Sequence, residues 1–448
     1  PNYPIYDENG DFTWPAGAHN NYVAQSTAYY KAQTNNLLGN VTLNYKIIPE
    51  LNVKINIGYN RIGIDQINAT PSTYNNPVNK IKGSSSFGHQ YTQSIITEPL
   101  ITYSKLFGKN RIEILVGGTL QNDKTRGMKF SLGNYENDQQ LESIDLGSVT
   151  TKTGNIVDYK YISLFSRINY NWQDRYIINV SFRRDGSSRF GPGKQFGNFG
   201  SIGGAWIFSD EDWVKRQLSW LSYGKLRGSY GTTGNDGIPD YGYLSLYSPG
   251  SMYGDGNTLL PSQIANANYS WEINKKLEFA MELGFLRDRI LFNTSWYRNR
   301  SGNQLVGFNL PSTTGFSSYQ ANLPALVQNK GWEFELNTIN LKDGNINWST
   351  SLNITIPKNK LISFPGLDKS SYANMYIEGK SINIIQGFHF LGINQDNGVA
   401  AVEDLNGDGI YTRLSSSNNQ GGDYIVIGNT DPNWYAGINN SINYKRLE

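Results

Sequence analysis

The 448 residues carry a formal net charge of +2, and charged residues make up only 17% of the chain, below the roughly 25% typical of soluble domains. This balance, without basic blocks, argues against a nucleic-acid-binding protein, which needs clustered Lys and Arg to displace counterions from phosphate. Cysteine is absent, which excludes disulfide frameworks, zinc knuckles, iron–sulfur clusters and a cysteine nucleophile.

No stretch of the sequence approaches the roughly 18 consecutive apolar residues of a membrane-spanning helix. The hydrophobic fraction of 38% and the mean hydropathy of −0.49 therefore exclude a helical membrane protein. They leave a membrane β-barrel open, because barrel strands are apolar on one face only. The first residues, 1–4, do not have the pattern of a signal peptide, and we expect the chain to be part of a longer protein.

Nearly all predicted elements are strands. In chain order they cover residues 41–45, 51–59, 94–103, 111–120, 161–170, 176–183, 199–208, 225–230, 277–286, 290–298, 332–339, 346–354 and 435–444. Apolar and polar residues alternate along them; Leu51, Val53 and Ile55, for example, are separated by Asn52 and Lys54. Because successive side chains of a strand point to opposite faces, each segment has one apolar and one polar face.

Short polar turns, such as those at 171–175 and 287–289, join many of these strands in pairs. The connections between pairs are long and rich in Gly, Asn, Ser and Tyr; they cover residues 61–90, 121–160, 231–274, 301–330 and 355–431. Short turns at one end and long loops at the other are typical of outer-membrane barrels. The sequence therefore predicts an all-β protein, an antiparallel transmembrane β-barrel of about thirteen strands with long extracellular loops.

One motif resembles a metal site. Asp404, Asn406 and Asp408 place side-chain oxygens at alternate positions, as in the first half of a calcium loop. An EF-hand loop also needs a bidentate Glu at its twelfth position, which is Ser415 here, and no helical pattern flanks the motif. These three residues are a candidate calcium site, and an ordinary turn made of good turn-forming residues is the favoured explanation.

Signatures of catalysis are missing from the sequence. His19, His89 and His389 lie far apart and form no HExxH motif. The acidic run 210–212 is typical of a helix start rather than of a catalytic cluster. We therefore predict no catalytic residue and no enzymatic activity.

The aromatic residues fall into two groups. Tyr170, Trp172 and Tyr176 lie at strand ends beside a turn, which suits the aromatic girdles of a membrane interface. Others lie in predicted loops, where their rings could stack on sugar rings. The candidates for substrate binding are Tyr241, Tyr243, Tyr319 and Tyr372, together with Tyr247 and Tyr253. For any single one of these residues, packing within the loop itself is the favoured explanation.

Several segments resemble the SusC/RagA-type TonB-dependent outer-membrane transporters. The clearest is Ser-Phe-Arg-Arg-Asp-Gly-Ser-Ser-Arg-Phe-Gly at 181–191; another is Lys-Leu-Arg-Gly-Ser-Tyr-Gly-Thr-Thr-Gly-Asn at 225–235. Asn-Tyr-Ser-Trp-Glu at 268–272 is similar to a segment of that family, with Tyr269 where the family usually has Pro. The remaining segments that resemble the family are 199–206, 209–213, 404–410 and 427–432.

The resemblance implies properties that composition and spacing do not show. Members of the family have a barrel of about 22 strands closed by an N-terminal plug, with a TonB-contacting segment before it. A SusD-like lipoprotein covers the outer mouth, and TonB–ExbB–ExbD supplies energy. By this comparison, residues 1–448 are part of one such barrel domain without the plug and the TonB box. We expect import of a nutrient across the bacterial outer membrane, with an oligosaccharide or a peptide as substrate and the oligosaccharide favoured.

Two other functions remain open at this point. A soluble all-β carbohydrate-binding or adhesin module would bury the apolar strand faces in a sandwich interior. A cell-surface glycosidase would need two positioned carboxylates, which the sequence does not identify.

Overall fold

The computed structural model describes residues 4–14, 21–251, 253–254, 256, 258–344, 346–416 and 421–444, and the structural statements below concern these residues. Antiparallel strands dominate them, as the two-residue periodicity predicts. No helix in these ranges has the length and apolar character needed to cross a bilayer.

Thirteen strands form one sheet, and all but two of its neighbouring pairs are consecutive in the sequence of strands. In sheet order they are β1 (Tyr29–Ile48), β2 (Leu51–Thr70), β3 (Ser84–Phe107), β4 (Asn110–Gly133), β5 (Ser148–Trp172), β6 (Tyr176–Ser187), β7 (Phe196–Trp206), β8 (Leu221–Asn235), β11 (Glu272–Phe285), β12 (Ile290–Asn309), β13 (Ser318–Asp343), β14 (Ile346–Ser363) and β19 (Tyr435–Tyr444). The predicted number of strands is therefore confirmed.

The connections hold the remaining elements. Three two-stranded sheets pair β9 (Leu246–Pro249) with β10 (Leu259–Gln263), β15 (Ile384–Phe388) with β18 (Tyr424–Asn429), and β16 (Phe390–Ile393) with β17 (Ala400–Val402). The two short α-helices are α1 (Tyr22–Gln25) and α2 (Asp212–Gln217). Single 3-10 turns cover Ser72–Tyr74, Pro77–Asn79, Asp138–Gln140, Phe208–Asp210, Ser312–Thr314 and Leu367–Lys369.

Many strands are longer than the sequence predicts. The segment predicted at 94–103 becomes the 24-residue β3, and the one predicted at 161–170 becomes the 25-residue β5. Much of the predicted loops 61–90, 121–160 and 301–330 is therefore strand, which corrects those boundaries. The alternation of apolar and polar residues fades where polar residues lie on both faces, but the backbone ladder continues without it.

Contacts divide the chain into two compact units, one of Pro1–Tyr45, Lys54–Pro99 and Thr119–Ile162, the other of Lys46–Val53, Leu100–Gly118 and Ser163–Glu448. The first unit contains a small apolar core of Ala69, Leu132, Tyr135 and Leu141. In the second unit one core cluster consists of Leu323, Ala325, Val327, Leu361, Phe364 and Leu367. Both clusters involve strand ends and connections rather than the middle of the sheet.

Candidate functional site

The strands β8, β11, β12 and β13 of the second unit have one apolar and one polar face. Across this sheet the register aligns Gly228, Phe279, Trp296 and Trp332 in one row. Phe279 is 56% exposed and Trp332 is 47% exposed. A soluble protein buries such side chains in its interior, so an exposed row of large apolar residues indicates an apolar surrounding.

The opposite face of the same strands carries ion pairs. Lys225 Nζ lies 3.2 Å from a carboxylate oxygen of Glu282, and Arg227 Nε lies 3.0 Å from the other. Arg227 also pairs with Glu278 through its Nη1 atom. Ion pairs exposed to this degree contribute at most about 1 kcal/mol each, so their main effect is to make this face hydrophilic.

Further along this polar face, side-chain amides and hydroxyls replace the ion pairs. Ser295 Oγ donates to Glu333 at 3.1 Å, and Asn293 Nδ2 donates to Glu335 at 3.3 Å. These groups border a polar cavity of about 340 Å³ that Arg227 also lines. A face of carboxylates, amides and hydroxyls suits a hydrated lumen.

Aromatic residues mark the short-turn end of β5, β6 and β7. The rings of Trp172 and Tyr176 lie 5.1 Å apart, and those of Tyr176 and Trp206 are stacked at 6.5 Å. Glu211 accepts hydrogen bonds from Tyr176 Oη at 2.7 Å, from Trp206 Nε1 at 3.2 Å and from Arg175 Nη1 at 3.1 Å. The hydrogen bond from Tyr176, followed by that from Trp206, lowers the pKa of Glu211.

The acidic run 210–212 lies at the start of helix α2, which begins at Asp212, as the sequence predicts.

An aromatic cluster, hereafter the upper core, lies at the other end of these strands. Phe190, Phe199, Tyr269 and Trp271 are all buried. The ring of Phe190 lies 5.2 Å from that of Trp271 and 6.2 Å from that of Tyr269. Burial raises the pKa of Tyr269 to about 12.

The upper core joins two of the segments that resemble the transporter family, 181–191 and 268–272. Amide side chains complete it, because Asn322 Nδ2 donates to the backbone oxygens of Ser270 at 2.7 Å and of Asn303 at 3.0 Å. Spacing along the sequence does not reveal this contact, since the two segments are more than 70 residues apart.

The structure divides the loop tyrosines by exposure. Tyr243 packs beside Gly191, whose Cβ, if present, would lie 3.0 Å from the tyrosine ring. Tyr241 has a left-handed backbone with φ of 62°, and its backbone oxygen accepts from Gln263. Tyr247 and Tyr253 are 60% and 87% exposed. Tyr247 and Tyr253 are therefore better placed for stacking on a substrate than Tyr243.

Tyr372 lies among other aromatic rings. Its ring is 5.6 Å from that of Phe308, 6.1 Å from Phe364 and 5.8 Å from Tyr376. Burial is the main cause of the raised pKa of Tyr372. Tyr319 is half-buried and lies opposite Phe308 in the ladder of β12 and β13. For Tyr372, packing within a loop is the better explanation of the aromatic ring.

The calcium-like loop is held by its own hydrogen bonds. The two carboxylate oxygens of Asp404 accept from the backbone N–H groups of Gly407 at 2.7 Å and Gly409 at 2.8 Å. Asp408 Oδ1 accepts from Ile410 N at 2.7 Å, and Asn406 Oδ1 from Asp408 N at 3.1 Å. No group of three His, Cys, Asp or Glu side chains suited to a metal ion is found in the described ranges. The calcium site stays a prediction.

Asp423, which the sequence does not single out, supports this loop. Its side chain is completely buried. It accepts from the backbone N–H groups of Leu405 at 2.9 Å and Thr412 at 2.8 Å, so it ties both ends of the loop together. The bond from Thr412 is the largest cause of the lowered pKa of Asp423.

The histidines lie at separate places. His89 Nδ1 lies 2.6 Å from Asp65, and His389 Nδ1 lies 2.6 Å from Glu403. Both pairs are exposed on the surface. His19 lies outside the described residues.

The two-faced sheet falls within a segment that matches one known protein family. The family described as TonB dependent receptor-like, beta-barrel matches residues 1–446. The chain belongs to this family. TonB-dependent receptors are outer-membrane proteins, so the soluble alternative is wrong. The exposed apolar sheet face is suited to contact with lipid. The family is one of transporters and receptors rather than enzymes.

Individual relatives agree with this assignment. TonB-dependent receptor P39 of Formosa agariphila is 28% identical over 404 residues, which are 88% of this chain and 38% of that protein. TonB-dependent receptor SusC of Bacteroides thetaiotaomicron is 28% identical over 361 residues, 78% of this chain and 35% of that protein. The chain thus covers less than half the length of these relatives.

A solved structure shares the fold. The RagAB peptide importer in its closed-closed state superposes with a TM-score of 0.85 at 21% identity, covering 99% of this chain and 50% of that chain. The predicted barrel fold is therefore confirmed, and the family match together with the SusC relative confirms the resemblance to the SusC/RagA type.

Proposed function

We propose that the intact protein containing this chain imports an oligosaccharide across the bacterial outer membrane. A SusD-like lipoprotein would capture the substrate, and TonB–ExbB–ExbD would drive its release into the periplasm. The observation that carries the proposal is the two-faced sheet, with Phe279 and Trp332 on its lipid side and Lys225, Arg227 and Glu282 on the other. Transport requires no covalent chemistry, and we assign no catalytic residue.

The choice of an oligosaccharide rests on exposed loop aromatics. Tyr247, on β9, is 60% exposed and Tyr253 is 87% exposed within the part of the chain that the structure describes. Sugar rings present apolar C–H surfaces that stack on aromatic ring faces, while hydroxyl groups pair with amides and carboxylates. The polar cavity on the sheet face that we assign to the lumen offers an amide from Asn293 and a carboxylate from Glu333 as partners for sugar hydroxyl groups, and Arg227 also lines it.

A growth experiment tests the proposal. A strain lacking the gene should lose growth on the oligosaccharides that induce it and keep growth on peptides, and the gene should restore uptake. The double variant Tyr247→Ala, Tyr253→Ala should weaken binding of the oligosaccharide to the receptor itself by about tenfold, as expected for two lost stacking contacts. Tyr372→Phe, a change within a packed cluster, serves as the matched control. Loss of peptide uptake alone would contradict the oligosaccharide assignment.

Partner binding needs a separate measurement. Purification of the intact protein from outer membranes should bring down a lipoprotein of the SusD type and, from whole envelopes after crosslinking, TonB. Uptake that persists in a strain without TonB would contradict the energy coupling.

A further inference from the structure

The lipid-facing side of the second unit has a gap in its row of apolar side chains. The register pairs Ile178 with Gly204, Gly204 with Gly228, and Gly228 with Phe279. Two glycines thus lie side by side on adjacent strands, between large apolar residues on either side. Because glycine has no side chain, such a pair leaves the backbone of both strands uncovered. The pair is visible only from the register of β7 and β8.

This gap forms the floor of a groove, hereafter the glycine groove. Its volume is about 710 Å³, within the range of roughly 300–1,000 Å³ found for small-molecule sites. Trp206 and Leu226 form one side, and Phe279 and Trp296 form another. The groove lies wholly within the second unit.

The two glycines differ in the space above them. A Cβ on Gly228 would lie 2.9 Å from the ring of Phe279, so that ring already covers the position. A Cβ on Gly204 would meet only the backbone oxygen of Ile177, at 3.8 Å. The open part of the glycine groove therefore lies over Gly204.

The chemistry of the walls selects the occupant. Tyr176, Thr294 and Arg227 are polar residues at the groove, and the other side chains that line it are indole, phenyl, alkyl and thioether groups. Water would therefore find few hydrogen-bonding partners there. An empty groove would leave those side chains without contacts on one side. A flexible alkyl chain fills an elongated apolar groove and contacts the surrounding aromatic rings. The lipid hydrocarbon that contacts this face of an outer-membrane protein supplies such a chain.

The position of the groove along the strands decides which leaflet supplies the lipid. Tyr176 and Trp206 border it toward the short-turn end, where both donate to Glu211. Short turns of outer-membrane barrels lie on the periplasmic side, and aromatic girdles mark the interface there. The periplasmic leaflet consists of phospholipid, whereas lipopolysaccharide occupies the outer leaflet.

We propose that the glycine groove is a binding site for one acyl chain of a periplasmic-leaflet phospholipid, held as a resident lipid. Arg227 also borders the groove. The site is nevertheless separate from the substrate path, because the register places Gly204, Gly228 and Phe279 on one face of the sheet and the Arg227–Glu282 ion pair on the other. The glycine pair is then the feature that distinguishes a bound lipid from the lipids that exchange around the rest of the barrel.

Native mass spectrometry of the intact receptor, extracted from outer membranes in mild detergent, tests the site. The wild-type protein should retain one phospholipid. Gly204→Leu places a side chain in the open part of the groove and should lower that occupancy by about tenfold, the effect of about two lost methylene contacts. Leu226→Trp should act in the same way from the neighbouring strand. Val180→Phe adds apolar bulk to the same face outside the groove and should leave occupancy unchanged.

Heat-modifiable migration in gels confirms that each variant forms a barrel. Retention of phospholipid by folded Gly204→Leu and Leu226→Trp at the wild-type level would overturn the proposal. The same holds for a wild-type protein that retains no lipid, or that retains only lipopolysaccharide. The wild-type measurement decides these last two outcomes even if a variant does not fold.

Discussion

Phe279 lies directly opposite Trp296 in the ladder of β11 and β12, and the two rings stack with centroids 6.2 Å apart. Their sequence neighbours Glu278 and Ser295 point to the other face of the sheet, where Glu278 pairs with Arg227 and Ser295 with Glu333. Successive residues of each strand thus point alternately into an apolar and a polar surrounding. This relationship underlies the transport proposal, because a transmembrane wall needs both faces.

A charge introduced on the apolar face should destabilise the barrel strongly. We expect Phe279→Lys to lower the free energy of unfolding in lipid vesicles by about 1–4 kcal/mol, since a lysine on the lipid face costs most at the bilayer midplane and less toward the interfaces. The matched change Ser295→Lys places the same charge on the polar face beside Glu333 and should cost far less. Equal losses in the two variants, measured by denaturant titration, would contradict the assignment of the faces.

The upper core should lose stability at high pH because of Tyr269. Burial raises the pKa of Tyr269 from 10.0 to about 12. The unfolded chain therefore loses the phenol proton first, so the contribution of Tyr269 is complete below pH 10 and disappears as the pH rises toward 12. Protease cleavage in residues 187–196 should increase over this range in the wild type. Tyr269→Phe should remove that part of the increase; an identical pH profile in the variant counts against the explanation.

The loop that Asp423 holds should lose stability at low pH, whereas the upper core loses it at high pH. The backbone N–H of Thr412 is the main cause of its lowered pKa. The folded loop therefore holds the charged form, and this stabilisation is present above the ordinary value of 3.8 and is lost as the pH falls through the lower folded value. Hydrogen exchange of residues 404–416 should accelerate in that acidic range.

The variant Asp423→Asn should loosen the loop at neutral pH as well. An amide nitrogen in place of one carboxylate oxygen would face the N–H of Leu405 or Thr412, so one buried donor would lose its acceptor. We expect faster hydrogen exchange at 404–416. Asp396→Asn, an exposed carboxylate in the preceding connection, is the control. Unchanged exchange in Asp423→Asn would show that the buried carboxylate does not hold the loop.

The predicted calcium site can be tested on the same loop. The oxygens of Asp404, Asn406 and Asp408 each accept one backbone hydrogen bond, and an oxygen with a second lone pair can still bind a cation. Millimolar Ca²⁺ should slow hydrogen exchange at 404–410, and Asp408→Ala should abolish the effect. Exchange that is insensitive to Ca²⁺ in the wild-type protein would favour the ordinary turn.

The sequence predicts the strands where one face differs from the other. In β11, Leu277 and Phe279 alternate with Glu278, so the strand and its faces follow from the period of two. The extensions of β3 and β5 are not predictable in this way, because polar residues on both faces leave no period to detect.

Contacts between segments that are distant in the chain also cannot be predicted from the sequence pattern. Asp423 reaches Leu405 from 18 residues away, and an isolated Asp carries no sign of such a role. The Gly204–Gly228 pair depends on the register of β7 and β8. The ring of Tyr372 packs on Phe308 of β12. The position of Tyr372 in a predicted loop does not reveal this contact.

The central claim is that lipid contacts one side of these strands and water the other. These 448 residues contain no cysteine. Single spin labels can therefore be attached through Phe279→Cys and Glu278→Cys in the intact receptor in lipid vesicles, after any cysteine elsewhere in that receptor has been replaced by serine. The label at 279 should be relaxed by oxygen, which partitions into hydrocarbon, and the label at 278 by a water-soluble nickel chelate. Two results would contradict the account. In one, the chelate reaches both labels equally; in the other, neither oxygen nor the chelate reaches the label at 279.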